Sequence, residues 1–82
     1  MNVSQIGYDI EHEMLVFKGA HLECGDTLEV LIPSPISGNL IWVQSRLVWE
    51  NQPAQRWRLL SSDPAIDEVL NTCDPVGLFA RR

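Results

Sequence analysis

The sequence predicts a mainly β domain, a small five-stranded barrel with one short helix before the last strand. Three observations carry that expectation. Between Gly25 and Trp57 the chain reads GDTLEVLIPSPISGNLIWVQSRLVWENQPAQRW, an acidic glycine turn followed by apolar segments that hold all three tryptophans. Several of these segments alternate apolar with polar residues and are separated by Gly, Pro and Asn, the pattern of short strands and turns. Hydrophobic residues make up 45% of the 82-residue chain, too many for a disordered acidic tail. The length suits a single domain over residues 1–82 with one compact core and no deep cavity.

Tyr8 and Ile10 alternate with polar neighbours, and Met14 to Phe17 is an apolar run closed by Lys18 and Gly19, so this segment is one strand or an irregular hairpin arm. His21 and Leu22 lead into Glu23-Cys24-Gly25-Asp26, where Gly25 can take positive φ in a tight turn. From Thr27, Leu28, Val30 and Ile32 share one strand face while Glu29 points away beside Leu31. Pro33 and Pro35 end the strand because neither can donate to a ladder, and Gly38-Asn39 forms the next turn. The longest strand pattern follows. Ile41, Val43, Ser45, Leu47 and Trp49 form its better core face, whereas Leu40, Trp42, Gln44, Arg46, Val48 and Glu50 form a mostly solvated face.

After a loop over residues 51–55, Arg56 to Leu60 alternates again, with Trp57 and Leu59 inward and Arg56 and Arg58 outward. Ser62-Asp63-Pro64 starts a helix expected over residues 62–71: Asp63 accepts from free amides, and Pro64 at the first helical position loses nothing by lacking an N–H. Ile66, Val69 and Leu70 make its apolar stripe, which would plug an open end of the barrel, and Asp67 and Glu68 sit where the helix dipole favours them. Val76 to Ala80 is the closing strand, followed by Arg81 and Arg82 at a frayed end. There is no internal repeat and no low-complexity segment.

Eleven acidic side chains oppose six basic ones, and the excess is local: Asp9, Glu11, Glu13, Glu23, Asp26 and Glu29 face only Lys18 in the first 30 residues. That distribution argues against a basic groove tracking a phosphate backbone. Cys24 and Cys73 are too few for a disulfide scaffold, no signal peptide precedes them, and no apolar run approaches the roughly 20 residues needed to cross a bilayer. The expectation is a cytoplasmic protein with two free thiols and no membrane association.

The Gly25-Asp26 turn before the Leu28 to Ile32 strand, the Trp42-bearing strand after it, the arginine-flanked Trp57 and the late helix together resemble the SH3-like barrel. Tyr8, Cys24 to Asp26, Glu29 to Ile32 and Trp57 to Leu59 also look like the pattern of a small bacterial family of uncharacterised function. The resemblance covers roughly residues 8–61. It implies an SH3-like fold and, because SH3-type domains use an exposed tryptophan near the start of this strand, a contact role for Trp42.

Catalytic and metal chemistries find little support in the spacing. His12, His21, Cys24 and Cys73 could formally make a two-His, two-Cys zinc set, but no Cys-x-x-Cys or His-x-x-x-His pair fixes it, so no metal and no cofactor are expected. Cys24 has acidic neighbours, which oppose thiolate formation, and Asp67 and Glu68 diverge on a helix. Glycines are scattered singly and form no phosphate loop. The functional expectation is therefore a non-catalytic protein-interaction module, whose partner is another protein or a second copy of itself in a homodimer. Its contact surface is drawn around Trp42, Tyr8, Gln44 and Arg46. The alternative is nucleic-acid binding through Trp42, Arg46, Arg56 and Arg58, with a base stacked on the indole and the arginines on phosphates.

Overall fold

The computed structural model describes residues 3–82. Its strands are β1 (Ser4–Gln5), β2 (Gly7–Asp9), β3 (Met14–Phe17), β4 (Ala20–His21), β5 (Thr27–Pro33), β6 (Leu40–Glu50), β7 (Arg56–Leu60) and β8 (Phe79–Arg81), with helix α1 (Pro64–Thr72) between the last two. They form two antiparallel sheets, one of five strands in the order β1-β8-β5-β6-β7 and one of three in the order β2-β3-β4. Among the described residues no helix is long and apolar enough to cross a membrane.

The Gly25 turn sets the main ladder. Gly25 takes φ +98°, a conformation that side chains disfavour, and its N–H donates to Leu47 O at 2.7 Å while Leu47 N–H donates to Asp26 O at 2.8 Å. From there β5 and β6 pair from Thr27↔Arg46 to Pro33↔Leu40, and β7 takes over the other end of β6 from Arg46↔Leu60 to Glu50↔Arg56. The inward residues then follow from the two-residue period: Leu28, Val30 and Ile32 of β5, Ser45 and Leu47 of β6, Leu59 of β7 and Ala80 of β8 are all buried. The Ser45 hydroxyl, buried among them, donates to Leu28 O at 2.8 Å and so carries no unpaired polar group into the core. The three-stranded sheet supplies Leu15 and Phe17 to the same cluster, and Ile6, Leu22 and Leu70 complete it.

One short segment serves both sheets. Ser4 and Gln5 pair with β8, Gly7 to Asp9 pair with β3, and Ile6 stands between them with its side chain 1% exposed. Its N–H donates to Leu78 O and its carbonyl accepts from Gly77 N–H, both at 2.8 Å.

The five-stranded SH3-like barrel is not what forms. Among the described residues β7 pairs only with β6 and β1 only with β8, and β2 and β4 each pair only with β3, so both sheets stay open, and the Cα trace is a slab of 38 × 36 × 17 Å. The described residues hold eight strands because residues 7–21, expected as one strand or a hairpin arm, build a three-stranded sheet of their own and Ser4–Gln5 adds an edge strand beside β8. The resemblance to SH3-like barrels, and with it to the small bacterial family, is overturned by this topology. A glycine–acid turn before an apolar strand dictates a local β5–β6 hairpin, and nothing in it dictates that the last edge strand meet the first. At β7 the neighbouring element is α1, which packs against that strand.

The helix does precede the last strand. Asp63 caps it, accepting from Ala65 and Ile66 N–H groups, and Pro64 occupies its first turn. Leu70 is buried, with Ile66 and Val69 packed on the core. Asp67 ties the helix to β7: its Oδ1 accepts from Ser61 N–H at 3.0 Å and its Oδ2 from Arg58 Nη2 at 2.8 Å. The Ser61 amide first, and then the Arg58 guanidinium, hold the Asp67 carboxyl below its ordinary 3.8 against an opposing desolvation. Because the folded value lies below the unfolded one, this stabilisation is fully present above about pH 4 and is lost as pH falls through the lowered value. Asp67→Asn should therefore cost about 1.5–3 kcal/mol at neutral pH, the range for hydrogen bonds to charged groups. The gap between variant and wild type in urea melts should shrink as pH falls through the lowered Asp67 pKa; a gap that stays constant until the carboxyl is fully protonated would assign the effect to packing.

Candidate functional site

Aromatic side chains converge where the sheets part. β6 has 11 residues, roughly 36 Å at strand rise, and its last turn of alternation runs past the buried core. Trp49 shares the inward face of Leu47 but is 42% exposed. Its register partner is Trp57, and the two rings meet edge to face at 5.1 Å and 73°. Trp57 Nε1 donates to Glu13 O at 3.2 Å, and Trp49 Nε1 donates to Asn51 Oδ1 at 3.1 Å, so both indoles are held by a hydrogen bond. Tyr8 and Leu15 of the small sheet and Cys73 to Val76 after α1 close the sides of an open groove of about 570 Å³. Arg56 stands on its rim, bonded to Glu50 Oε1 at 3.0 Å and to the Asn71 carbonyl at 3.2 Å.

The second feature lies on the outward face of the three-stranded sheet. Register places Gly7, Val16 and His21 level across its strands, and Asp9 projects on the same side two residues beyond Gly7. Oδ1 of Asp9 accepts from Glu11 N–H at 3.0 Å and His12 N–H at 3.3 Å, which folds the turn at residues 10–13 around the carboxylate. Oδ2 is approached at 2.8 Å by both His12 Nδ1 and His21 Nε2, and the two rings lie 5.1 Å apart. His21 foremost, and His12 after it, lower the Asp9 pKa to about 2, so the carboxyl is ionised and accepts from both rings.

The residues expected at a site are distributed differently. Trp42 is half-buried on the outward face of the large sheet, its ring covered by the Arg81 guanidinium at 4.2 Å, and Arg81 is itself paired with Glu29 at 3.1 Å. Gln44 and Arg46 are exposed on that face, beside a second concavity that includes Leu60 and Ile66. Tyr8 belongs to the other sheet and lines the aromatic groove. Arg56 and Arg58 are engaged within the fold: Arg58 is 13% exposed and bridges Asp67 at 2.8 Å and Glu50 at 3.8 Å.

Of the formal zinc set, His12 and His21 do meet, but with Asp9 in place of the thiols; Cys24 is exposed and Cys73 lines the groove. Sequence reasoning missed Asp9, although the Asp9-x-x-His12 spacing is visible, because only the β2-β3-β4 register carries His21 to it. Trp57 packs half-buried against the core as expected, whereas Trp49 does not; the signal available was that Trp49 lies at the far end of the longest strand pattern.

The chain matches no protein-family model, no curated protein and no solved structure. Trp57→Phe keeps the ring in the groove but leaves the Glu13 carbonyl without its donor. We expect a loss of about 0.5–1.5 kcal/mol in denaturant melts and a shifted carbonyl resonance at Glu13. An unchanged Glu13 resonance would mean that the indole does not anchor the hairpin turn.

Proposed function

We propose that the chain is a small, non-catalytic protein-interaction module whose aromatic groove takes an extended segment of another protein or of a second copy of itself. The observation that carries this reading is the exposed Trp49, set edge-on against Trp57 and facing Tyr8 across the groove. Aromatic rings already fixed by hydrogen bonds lose little freedom on binding, which is why tryptophan and tyrosine dominate contact energetics. The groove volume of about 570 Å³ lies within the range that accommodates ligands, and Gln55, Arg56 and Asp74 give it a polar rim. The free cysteines Cys24 and Cys73 suit a reducing, cytoplasmic setting.

Nucleic-acid binding draws less support. Arg56 and Arg58 are neutralised by Glu50 and Asp67, which leaves Arg46 as the exposed cation of the four residues that reading required. Peptides selected by display on the immobilised chain test the proposal. Trp49→Ala and Tyr8→Ala should each weaken their binding by about 30-fold, the loss of a contact worth about 2 kcal/mol, while Trp42→Ala and Arg46→Ala leave it unchanged. The reverse pattern would move the site to the outward face of the large sheet, and oligonucleotide binding lost with Arg46→Ala would replace the reading altogether. If no peptide is selected, sedimentation should show a concentration-dependent dimer that Trp49→Ala disrupts.

A further inference from the structure

We propose that Asp9, His12 and His21 form a binding site for one divalent transition-metal cation, Zn²⁺ by the chemistry of its donors. The three ligand atoms, Asp9 Oδ2, His12 Nδ1 and His21 Nε2, lie within 4.8 Å of one another. Around a tetrahedral Zn²⁺ with bonds near 2.0–2.1 Å, neighbouring ligand atoms stand roughly 3.3 Å apart. The two 2.8 Å separations to Oδ2 therefore need to open by about 0.5 Å, and the two ring nitrogens, within 4.8 Å of each other, to close by at most about 1.5 Å, which rotation of the exposed rings about χ1 and χ2 supplies. His12 is 61% and His21 40% exposed at the side chain, so a hydrated cation reaches all three donors from solvent.

The carboxylate is held in advance of any cation. Its Oδ1 is fixed by the Glu11 and His12 amides, which turns Oδ2 toward the rings; such outer hydrogen bonds are the usual way a ligating carboxylate is oriented. The ligands come from three places in the fold, the end of β2, the turn after it and the end of β4, so a cation would staple the whole small sheet. Coordination replaces the two hydrogen bonds to Oδ2: each ring gives up the proton on the nitrogen that faces Oδ2 and offers that nitrogen's lone pair, keeping its other nitrogen protonated. Two imidazoles with one carboxylate select Zn²⁺ and its transition-metal neighbours over Mg²⁺ and Ca²⁺, which prefer all-oxygen sets. With three protein ligands, a fourth position stays open to water or to a donor from a bound partner. The net acidity of the surrounding segment, with Glu11, Glu13 and Glu23 against Lys18, draws cations toward it.

The proposal does not rest on the groove being occupied, but the two are joined mechanically. Glu13, the residue after His12, accepts the Trp57 indole bond, so fixing the turn should be sensed by a groove tryptophan.

Titration of the full chain with ZnCl₂ in a calorimeter, alongside MgCl₂, tests the site. The expected result is one Zn²⁺ per chain, undiminished in the Cys24→Ser/Cys73→Ser double variant. His12→Ala or His21→Ala should weaken it at least tenfold, and Mg²⁺ should give no comparable heat. Imidazole resonances of unsubstituted protein, followed by NMR during the same titration, make the outcome independent of how the variants fold: both rings should shift together and saturate at one equivalent. Four results would overturn the proposal: no saturable Zn²⁺ binding, binding abolished by the double cysteine change, rings that do not shift, or equal responses to Mg²⁺.

Discussion

The architecture turns on the way Ile6 is locked. Residues 4–5 pair with β8 in one sheet and residues 7–9 with β3 in the other, so Ile6 between them belongs to neither ladder and its N–H and carbonyl must be paired during the crossing. The Gly77–Leu78 segment supplies both partners, and the apolar side chain of Ile6 is driven into the space between the sheets. Burial of such a side chain is worth about 1.5–3 kcal/mol, and it brings the small sheet to the core instead of leaving it as a separate hairpin. Leu15 and Phe17 can then meet Leu28, Val30 and Leu47 in one cluster.

Both functional features depend on that placement. The small sheet sends Leu15 and Phe17 into the core, while Trp49 near the end of β6 stays exposed beside Trp57. Tyr8 and Leu15 then become a wall of the groove, and the Glu13 carbonyl meets the Trp57 indole. The opposite face of the same sheet is held outward, and there Asp9 gathers His12 and His21. One sheet of nine strand residues thus positions an apolar contact surface on one side and a cation-type donor set on the other.

Much of the local structure was legible in the sequence. Alternation marked β5, β6 and β7, Gly25 marked the turn, and Asp63-Pro64 marked the helix start, because each of these is decided within a few residues. What the sequence did not reveal is decided by pairing between distant segments. Alternation states which face of a strand is apolar and is silent on how far a covering layer extends, so Trp49 was assigned to the core and the sheet was expected to close. Trp42, chosen because it lay opposite the core face, does lie outward, but Arg81 from the far end of the chain covers it. His21 reaches Asp9 only through a three-strand register that short apolar runs such as Met14 to Phe17 do not specify.

Amide hydrogen exchange at single-residue resolution tests the central claim that Ile6 joins two open sheets into one unit. The Ile6 and Gly77 amides, which make the two crossing bonds, should be protected to the same free energy as Val30 and Leu47 in the core, since opening either requires separating the sheets. Exchange of Ile6 and Gly77 at the rate of the exposed loop at residues 51–55, with the β5 and β6 amides still protected, would show that the small sheet is a separate appendage and would contradict the account.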